Sequence, residues 1–361
     1  MQTSQMFIGK EDGVRQDTRI LELFGIGLPI IQAPMAGATT PEMVIAVSEA
    51  GGLGSLPSAQ YTAAQLRKAL DAVRAGTSRP INVNFFCHTN PREDSARQTA
   101  WRRRLAPYYT EAGLDPDMPL ANGGRSPFDD AFCAIVEEYR PEVVSFHFGL
   151  PGTALLERVK RTGAKVISSA TTVAEARWLT ERGIDAVIAM GVEAGGHRGT
   201  FLTDDMATQI GTIALVPQIV SAVAVPVVAA GGIADRRGVE AAFALGAAAV
   251  QVGTAYLFTP EARIHAVYHS ALRSADRATA LTNVYTGRPA RGIVTRLMSE
   301  LGPLSDLAPP FPTATPALGP LRTAAEAVGR DDFSPLWAGQ SFGLGKPMSA
   351  AALTRSLAGV A

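Results

Sequence analysis

The sequence predicts an α/β protein whose largest part is a closed (β/α)8 barrel, and three observations support this prediction. Short runs rich in Val, Ile and Ala alternate with amphipathic stretches at nearly even spacing across residues 28–260. Several of these runs are continuously apolar, which is typical of parallel strands buried on both faces. About eight strand–helix units can be counted, which is the number that closes such a barrel. An open doubly wound sheet uses the same right-handed units and stays as the competing topology.

The predicted strands are the apolar runs, and the predicted helices lie between them. The runs cover residues 28–35, 51–56, 80–86, 142–149, 164–171, 185–191, 226–232 and 248–256. Helical patterns are clearest at residues 41–51, 62–76, 173–183 and 237–246. Most of these patterns end at a glycine, the residue that most readily takes the left-handed conformation after a helix.

Two segments interrupt this rhythm and predict a second, smaller unit. Residues 88–127 are polar and rich in proline, as expected for an insertion after the third strand, with one helix near 95–112. Residues 261–340 follow the last strand with helical patterns and a proline-rich loop at 301–320. We therefore expect a smaller, mainly helical lobe over one end of the barrel. The predicted division is a barrel from 20–87 and 128–260, a lobe from 88–127 and 261–345, and terminal extensions at 1–19 and 346–361.

The composition excludes several classes of function. The 361 residues include 33 basic and 33 acidic side chains, so there is no basic excess for a nucleic-acid surface or a polybasic membrane anchor. The N-terminal residues lack the apolar segment of a signal peptide, and no apolar run is long enough to span a membrane. Two cysteines, Cys87 and Cys133, do not make a disulfide framework. We expect a cytoplasmic protein with reduced cysteines and no metal.

The sharpest candidate for catalysis lies in the loop after the sixth predicted strand, EAGGHRG at residues 193–199. In such barrels the chemistry lies at the carboxyl ends of the strands. The three glycines of this loop remove side-chain bulk around His197, whose imidazole suits proton transfer at neutral pH. A histidine that only satisfies hydrogen bonds within the loop stays as the alternative.

Other strand ends suggest a binding site for a phosphate and a flat ring. Gly231 and Gly232 follow the seventh predicted strand, and Gly253 and Thr254 lie where the eighth ends. Backbone N–H groups at such turns bind phosphate in many barrels, although glycines that only turn the chain are the alternative. Asn84 ends the third strand, where its amide can pair with the edge of a flavin or nucleobase ring, or cap the loop instead.

The remaining polar candidates are weaker. His147 follows an apolar strand and is either a pocket residue or a packed one. His265 and His269 lie four residues apart on a predicted helix with no third ligand nearby, so we expect a solvated helix face rather than a metal pair. Asp235 opens a helix and suits its N-cap. Cys87 has no partner base fixed by the sequence, which argues against a covalent thiol mechanism.

An ordered set of motifs resembles the nitronate monooxygenases, formerly called 2-nitropropane dioxygenases, and within them the class I group. The similarity covers about residues 24–345. The motifs are QAPMAGATTPEMVIAVSEAGGLGS at 32–55, NVNFFCH at 82–88, SFHFGLP at 145–151, EAGGHRG at 193–199, AAGGIADRRG at 229–238, QVGTAY at 251–256 and WAGQS at 337–341. Single motifs of this set recur in several flavin barrels, whereas the ordered set is specific.

The resemblance implies a TIM barrel that binds FMN and oxidises alkyl nitronates, including propionate 3-nitronate, with O2 to a carbonyl compound and nitrite. It implies that His197 is the base proposed for nitroalkane deprotonation. The substrate pocket is expected to include His147, Phe148 and Trp337. The partners are then a small nitronate or nitroalkane and O2, and we expect a monomer or a homodimer.

The resemblance also implies which residues hold the cofactor. The residues expected to border the isoalloxazine ring, hydrogen-bond it or hold the ribityl phosphate are Ala33, Pro34, Met35, Asn84, Met190, Gly195, Gly196, Gly231, Gly232, Gln251, Gly253 and Thr254. Many family members have Gln where this chain has Met190, so one flavin contact is expected to be lost or replaced.

Two alternative functions stay open. An FMN-dependent enoyl-acyl-carrier-protein or quinone reductase of the same superfamily shares the AGGLG segment and the GGH loop, and it would consume NAD(P)H. A flavin-binding barrel without turnover is the other alternative. The presence of His197 beside three glycines argues against it, because an inactive relative could lose that base at little cost.

Overall fold

The computed structural model describes residues 17–120, 125–274 and 276–360. Within these residues the strands belong to two sheets, one of eight strands and one of three. In chain order the strands are β1 (Ile30–Gln32), β2 (Gly54–Pro57), β3 (Ile81–Phe86), β4 (Val143–His147), β5 (Lys165–Ala170), β6 (Ala186–Met190), β7 (Gly196–His197), β8 (Val227–Ala230), β9 (Ala249–Val252), β10 (Thr279–Thr282) and β11 (Ala290–Ile293).

Eight parallel strands form a nearly closed barrel, which confirms the predicted fold class. Their order is β1-β9-β8-β6-β5-β4-β3-β2. The two ends of this order meet at a parallel bridge between Ile31 and Leu53. There the Gln32 N–H donates to the Leu53 carbonyl at 3.0 Å, and the Leu53 N–H donates to the Ile30 carbonyl at 2.9 Å. The edges of an open doubly wound sheet do not meet, so that alternative is wrong.

The barrel is covered by helices that alternate with its strands. In chain order the described α-helices are α1 (Arg19–Phe24), α2 (Pro41–Glu49), α3 (Ala63–Gly76), α4 (Ser95–Glu111), α5 (Asp130–Tyr139), α6 (Thr153–Arg161), α7 (Val173–Glu181), α8 (Thr212–Ala222), α9 (Arg236–Ala244), α10 (Ala266–Arg273), α11 (Arg296–Glu300), α12 (Gly319–Ala327) and α13 (Ala350–Ala358). One large apolar core joins the barrel strands to α2, α3, α5 to α9 and α13.

The C-terminal helix completes the barrel, which corrects the predicted division of the chain. That division leaves residues 346–361 as an extension, but α13 packs against both α2 and α9. Leu353 and Leu357 of α13 are buried in the main apolar core. Thr354 Oγ1 also forms a hydrogen bond of 2.8 Å with Tyr256 Oη. This arrangement is hard to predict from sequence, because the lobe lies in the sequence between β9 and α13, the last helix of the barrel.

The amino-terminal end of the barrel is closed by α1. Ile20 and Phe24 of this helix are buried. They belong to a core with Ile31, Leu53 and Val143 on the barrel strands. Because apolar side chains fill this end, the opposite end, where the strands finish, is left for binding and chemistry.

The lobe has its own apolar core, and part of it is a sheet. Trp101 of α4 packs there with residues that follow the barrel, such as Leu297 and Leu318. The sequence suggested helices and a proline-rich loop in the tail, whereas the structure adds β10 and β11, which pair antiparallel with Thr279 opposite Ile293. Strands of four residues carry too little alternation to be recognised against a helical background.

Several smaller predictions can be compared with the structure. Cys87 and Cys133 are free thiols, and the Asp235 side chain accepts two backbone N–H groups at the start of α9, as an N-cap does. The His265 side chain is 68% exposed, and no cluster of three metal-ligating side chains occurs among the described residues. In the same part of the chain, no helix has both the length and the apolar character needed to cross a bilayer.

We predict that Leu353→Ala lowers the free energy of unfolding by about 2–5 kcal/mol, because it empties a buried site between α13 and the barrel. Urea unfolding followed by circular dichroism measures this change. Val360→Ala is the matched control: its side chain is 46% exposed, so we expect a change below about 0.5 kcal/mol. Equal effects of the two substitutions would contradict the placement of α13 in the barrel.

Candidate active site

A cavity of about 710 Å³ opens at the carboxyl ends of the barrel strands, with the lobe on its far side. Its wall contains every predicted site residue except Phe148. These residues are Ala33, Pro34, Met35, Asn84, His147, Met190, Gly195, Gly196, His197, Gly231, Gly232, Gln251, Gly253, Thr254 and Trp337. The barrel brings them together because the carboxyl ends of all eight parallel strands meet on one side.

The glycines of the cavity wall let backbone segments approach one another closely, and one of them, Gly196, leaves open space because nothing lies within 4 Å of a Cβ atom added there. A Cβ atom added at Gly195 would lie 2.6 Å from both the Ala338 carbonyl carbon and the Gly339 nitrogen, so the two segments can approach only without a side chain there. Gly231 and Gly232 have φ angles of +114° and +73°. These angles are readily available only to glycine. The result is a cleft lined by backbone beside β6 and β8.

The tail segment 339–341 joins three strand-end loops along one side of this cleft. Its first N–H donates to Thr254 Oγ1 at 3.0 Å. Its second N–H donates to the Glu193 carbonyl at 2.9 Å, and its serine hydroxyl donates to the Gly232 carbonyl at 2.7 Å. Because Thr254 Oγ1 is the acceptor in the first bond, its own hydrogen is left to donate to a ligand.

Two buried amide side chains contribute differently to the cavity. Asn84 Nδ2 donates to Ser145 Oγ at 3.0 Å, so part of this amide is committed to the neighbouring strand. Gln251 Oε1 is buried and has no hydrogen-bond partner among the described residues. Buried polar atoms are nearly always hydrogen-bonded. The Gln251 oxygen therefore fits a ligand that presents an N–H or O–H group to this wall.

His197 is held between the barrel and the lobe. It lies on β7, which pairs antiparallel with β11 so that His197 is opposite Ala290. Its Nε2 forms a hydrogen bond of 2.9 Å with Thr286 Oγ1. The centroid of its ring lies 5.2 Å from that of Phe311 and 5.6 Å from that of Trp337. The imidazole therefore lines the cavity in a fixed position within a mostly apolar wall.

The surroundings of His197 keep its imidazole neutral. Burial lowers the pKa of His197 well below its ordinary value of 6.5, and the positive charge of Arg125 lowers this pKa further. A neutral imidazole can accept a proton at pH 7. It cannot, however, supply a positive charge to an anionic ligand.

His147 supports the loop that carries His197. Its Nε2 lies 3.3 Å from the His197 carbonyl oxygen, and its Nδ1 lies 2.7 Å from Ser169 Oγ. A carbonyl oxygen only accepts, so Nε2 carries the hydrogen and Nδ1 accepts from the Ser169 hydroxyl. Burial lowers the pKa of His147 to about 3, which keeps this ring neutral as well. His147 is thus both a cavity residue and a packed one.

The chain is similar to known proteins over most of its length. The family model described as nitronate monooxygenase matches residues 17–359. A nitronate monooxygenase from Pseudomonas aeruginosa is 43% identical over 94% of this chain and 97% of its own length. A second, from Paraburkholderia phytofirmans, is 40% identical over 94% and 93%.

The chain belongs to the nitronate monooxygenase family. It is therefore an oxidoreductase of a family that acts on nitronates. Among solved structures, a nitroalkane oxidase from Streptomyces ansochromogenes aligns with a TM-score of 0.86 at 38% identity, covering 94% of this chain and 96% of that one. FabK from Thermotoga maritima aligns with a TM-score of 0.71 at 31% identity, covering 96% and 95%.

In this family member, two arginines fix the start of the loop that leads to His197. Arg198, which is fully buried, donates from Nη1 to the Gly191 carbonyl at 2.8 Å and from Nη2 to the Met190 carbonyl at 2.7 Å. Arg291 Nε donates to the Val192 carbonyl at 2.7 Å. These bonds satisfy carbonyl groups that leave the barrel at the end of β6. They also hold Met190 in the cavity wall.

Phe148 departs from the predicted pocket, because it does not line the cavity. Its φ angle is +69°, so the regular strand has ended and the side chain packs behind the wall. There the Arg288 guanidinium carbon lies 4.1 Å from the centroid of the Phe148 ring. Phe86 and Phe146 line the cavity instead.

Sequence reasoning missed the residues that the insertion and the tail contribute. The cavity wall also includes Arg125, Tyr268, Tyr285 and Thr286, and Phe311 packs on His197. None of these residues lies at the end of a barrel strand, where the sequence predicts the site. Two glycines precede Arg125 in the sequence, and this is a signal that could have drawn attention to it.

We predict that the protein loses stability as the pH falls below about 6.5, the pKa of an unperturbed histidine. In that range the unfolded chain takes up protons at His147 and His197, whereas the folded chain does so only at much lower pH. Each such histidine contributes a slope of up to about 1.4 kcal/mol per pH unit. Urea unfolding at pH 7.5 and 5.5 measures the slope.

His147→Gln is expected to reduce this slope, since the glutamine does not titrate. The matched control is Val328→Gln, which introduces the same side chain at a position that is 72% exposed and does not titrate, and it is expected to keep the wild-type slope. A slope that His147→Gln leaves unchanged would contradict the neutral, buried state of this ring.

Proposed function

We propose that this family member binds FMN and uses O2 to oxidise alkyl nitronates, such as propionate 3-nitronate, to a carbonyl compound and nitrite. The observation that carries the proposal is the position of His197 in a chain 43% identical to a nitronate monooxygenase. Its neutral imidazole lines a cavity beside a backbone cleft. A chain without turnover would have no evident use for a base held so firmly in this position.

The residues of the cavity fit a flavin mononucleotide. A planar ring with N–H and carbonyl groups along its edge matches the unpaired Gln251 oxygen and the open space beside Gly196 in the cavity wall. The phosphate would be held by backbone N–H groups near Gly232 and Gly253 and by the Thr254 hydroxyl. Met190 would contact the ring through its thioether, without the hydrogen bond that a glutamine makes. When bound, FMN would supply the acceptor for substrate electrons and pass them to O2.

The chain itself would manage protons and water. His197 would take the α-proton from a neutral nitroalkane, with its imidazole held in place by Thr286 and by the pairing of β7 with β11. A nitronate has already lost this proton and needs no base, so His197 would only orient it. Phe146 and Trp337 would exclude water from the reacting carbon.

We predict that the purified protein is yellow and consumes O2 when propionate 3-nitronate is added. His197→Asn is expected to lower kcat/KM for neutral nitroethane by roughly 10²- to 10⁴-fold, because it removes the general base. The loss with the nitronate should be smaller, because that substrate is already deprotonated. Oxygen uptake with both substrates measures the two effects.

His269→Asn is the control for this experiment, since it changes a histidine of the same chain that does not line the cavity. Unchanged turnover of both substrates by His197→Asn would exclude the assigned role of His197. A yellow protein that consumes no oxygen with any nitronate would instead support a binding barrel without turnover.

We predict that a nitronate added without oxygen bleaches the bound flavin rapidly, whereas NADH and NADPH bleach it slowly or not at all. Anaerobic stopped-flow absorbance with each compound measures the rates. The reductase alternative requires the opposite order. Rapid bleaching by NADH or NADPH and slow bleaching by the nitronate would therefore overturn the proposed function in favour of an enoyl or quinone reductase.

A further inference from the structure

The inserted segment between β3 and α5 brings a cation to the cavity. Arg125 is part of the cavity wall, as is His197. Its guanidinium carbon lies 5.7 Å from the centroid of the Phe311 ring, and that ring packs on His197 at 5.2 Å between centroids. Arg125 also contributes to the low pKa of His197. Its positive charge is therefore felt where the chemistry is proposed to occur.

The guanidinium of Arg125 lacks the partners that a buried cation normally has. Its Nη1 atom is buried and has no hydrogen-bond partner among the described residues. None of the ion pairs formed within that part of the chain includes Arg125. Burial of an unpaired charge is costly, and an anion that occupies the cavity removes that cost.

Three neighbouring arginines donate hydrogen bonds to backbone carbonyl groups. Arg198 donates to two carbonyls at the end of β6. Arg291 donates to the Val192 carbonyl. Arg288 donates to the Thr200 carbonyl and lies over the Phe148 ring. Arg288 Nε, like Arg125 Nη1, has no partner among the described residues. Arg125 differs from these three arginines because it is the one of the four that lines the cavity.

The charge of Arg125 complements the neutral state of His197. Burial lowers the pKa of Arg125 only to about 10, so its guanidinium is protonated at neutral pH. A guanidinium presents parallel N–H groups that match a planar pair of anionic oxygens. Both a nitronate group and a carboxylate group present such a pair, and His197 cannot offer a positive charge to either.

We propose that Arg125 is the anion-binding residue of the cavity and that it holds a planar, two-oxygen anionic group of the substrate. This inference rests on the proposed function for the identity of the substrate. It assigns the two requirements of the reaction to separate side chains: His197 handles the proton, and Arg125 holds the negative charge. The site thereby binds a nitronate more tightly than the neutral nitroalkane from which it forms.

Steady-state kinetics of Arg125→Met and Arg125→Lys test the proposal. With Arg125→Met we expect KM for the nitronate to rise roughly ten- to hundred-fold, as for loss of a charged hydrogen bond, with a much smaller change in kcat. Arg125→Lys should recover part of the loss, because it keeps the charge without the planar fork. The control is Arg103→Met, which changes an exposed arginine of the same inserted segment. We expect it to leave KM and kcat unchanged.

Two substrates identify the anionic group. Ethyl nitronate has only its nitronate oxygens, whereas propionate 3-nitronate adds a carboxylate. An equal rise in KM for both places the nitronate group on Arg125, and a rise for propionate 3-nitronate alone places the carboxylate there. Unchanged KM values for both substrates overturn the proposal, as does an equal loss of kcat in Arg125→Met and Arg125→Lys.

A binding measurement separates this proposal from the proposed function. Nitrate is a planar anion with N–O groups, and calorimetric titration of the purified protein with nitrate requires no turnover. We expect nitrate to bind the wild type and to bind Arg125→Met at least about tenfold more weakly. If the wild type does not oxidise nitronates, the proposed function fails, and this titration alone then tests whether Arg125 binds an anion in the cavity. Equal affinities, or no binding to the wild type, then overturn the assignment.

Discussion

The pairing of β7 with β11 is the contact on which the site depends. Two residues of a barrel loop, Gly196 and His197, become one strand of a sheet whose other strands lie in the lobe. This pairing fixes the backbone of His197 and brings Thr286 within hydrogen-bond distance of its ring. The barrel positions one side of the cavity, and the paired strands position the other side against it. A free loop of three glycines could not hold an imidazole so firmly.

The same pairing sets the charge of the site. The lobe covers His197 with apolar rings, and this burial keeps the imidazole neutral. Burial against Phe86 and Phe148 of the barrel keeps His147 neutral as well, so neither histidine adds positive charge to the cavity. Without the lobe, the His197 ring would lose the cover of Phe311 and Trp337, and with it the burial that lowers its pKa. The lobe therefore does more than cover the cavity, since it determines which protonation states are available there.

The barrel and most of its cavity wall could be predicted from sequence, because the patterns that specify them lie within short stretches of the chain. Continuous apolar runs report strands buried on both faces, and the carboxyl ends of such strands converge. Glycines and a histidine at those ends, such as Gly232 and His197, therefore fall into one site. The features that could not be predicted depend on contacts between segments that are far apart in the sequence. A two-residue strand has no periodicity, and the positive φ of Phe148 turns a predicted pocket residue behind the wall. The place of α13 is hidden because the lobe separates it from β9.

The net charge of the chain does not indicate the charge of its cavity. The chain carries equal numbers of acidic and basic side chains, which suggests that no strong field guides an anion to the site. Charge in a buried cavity is nevertheless a local matter, because the protein interior screens it far less than water does. Arg198 and Arg291 donate hydrogen bonds to backbone carbonyl groups. The Arg125 Nη1 atom, in contrast, has no hydrogen-bond partner among the described residues. A neutral base and a buried cation with an unpartnered donor atom, both lining the same cavity, fit a substrate that can arrive with or without its proton. Neither feature is visible in a sum of charges, since each follows from which side chains the fold leaves without a partner.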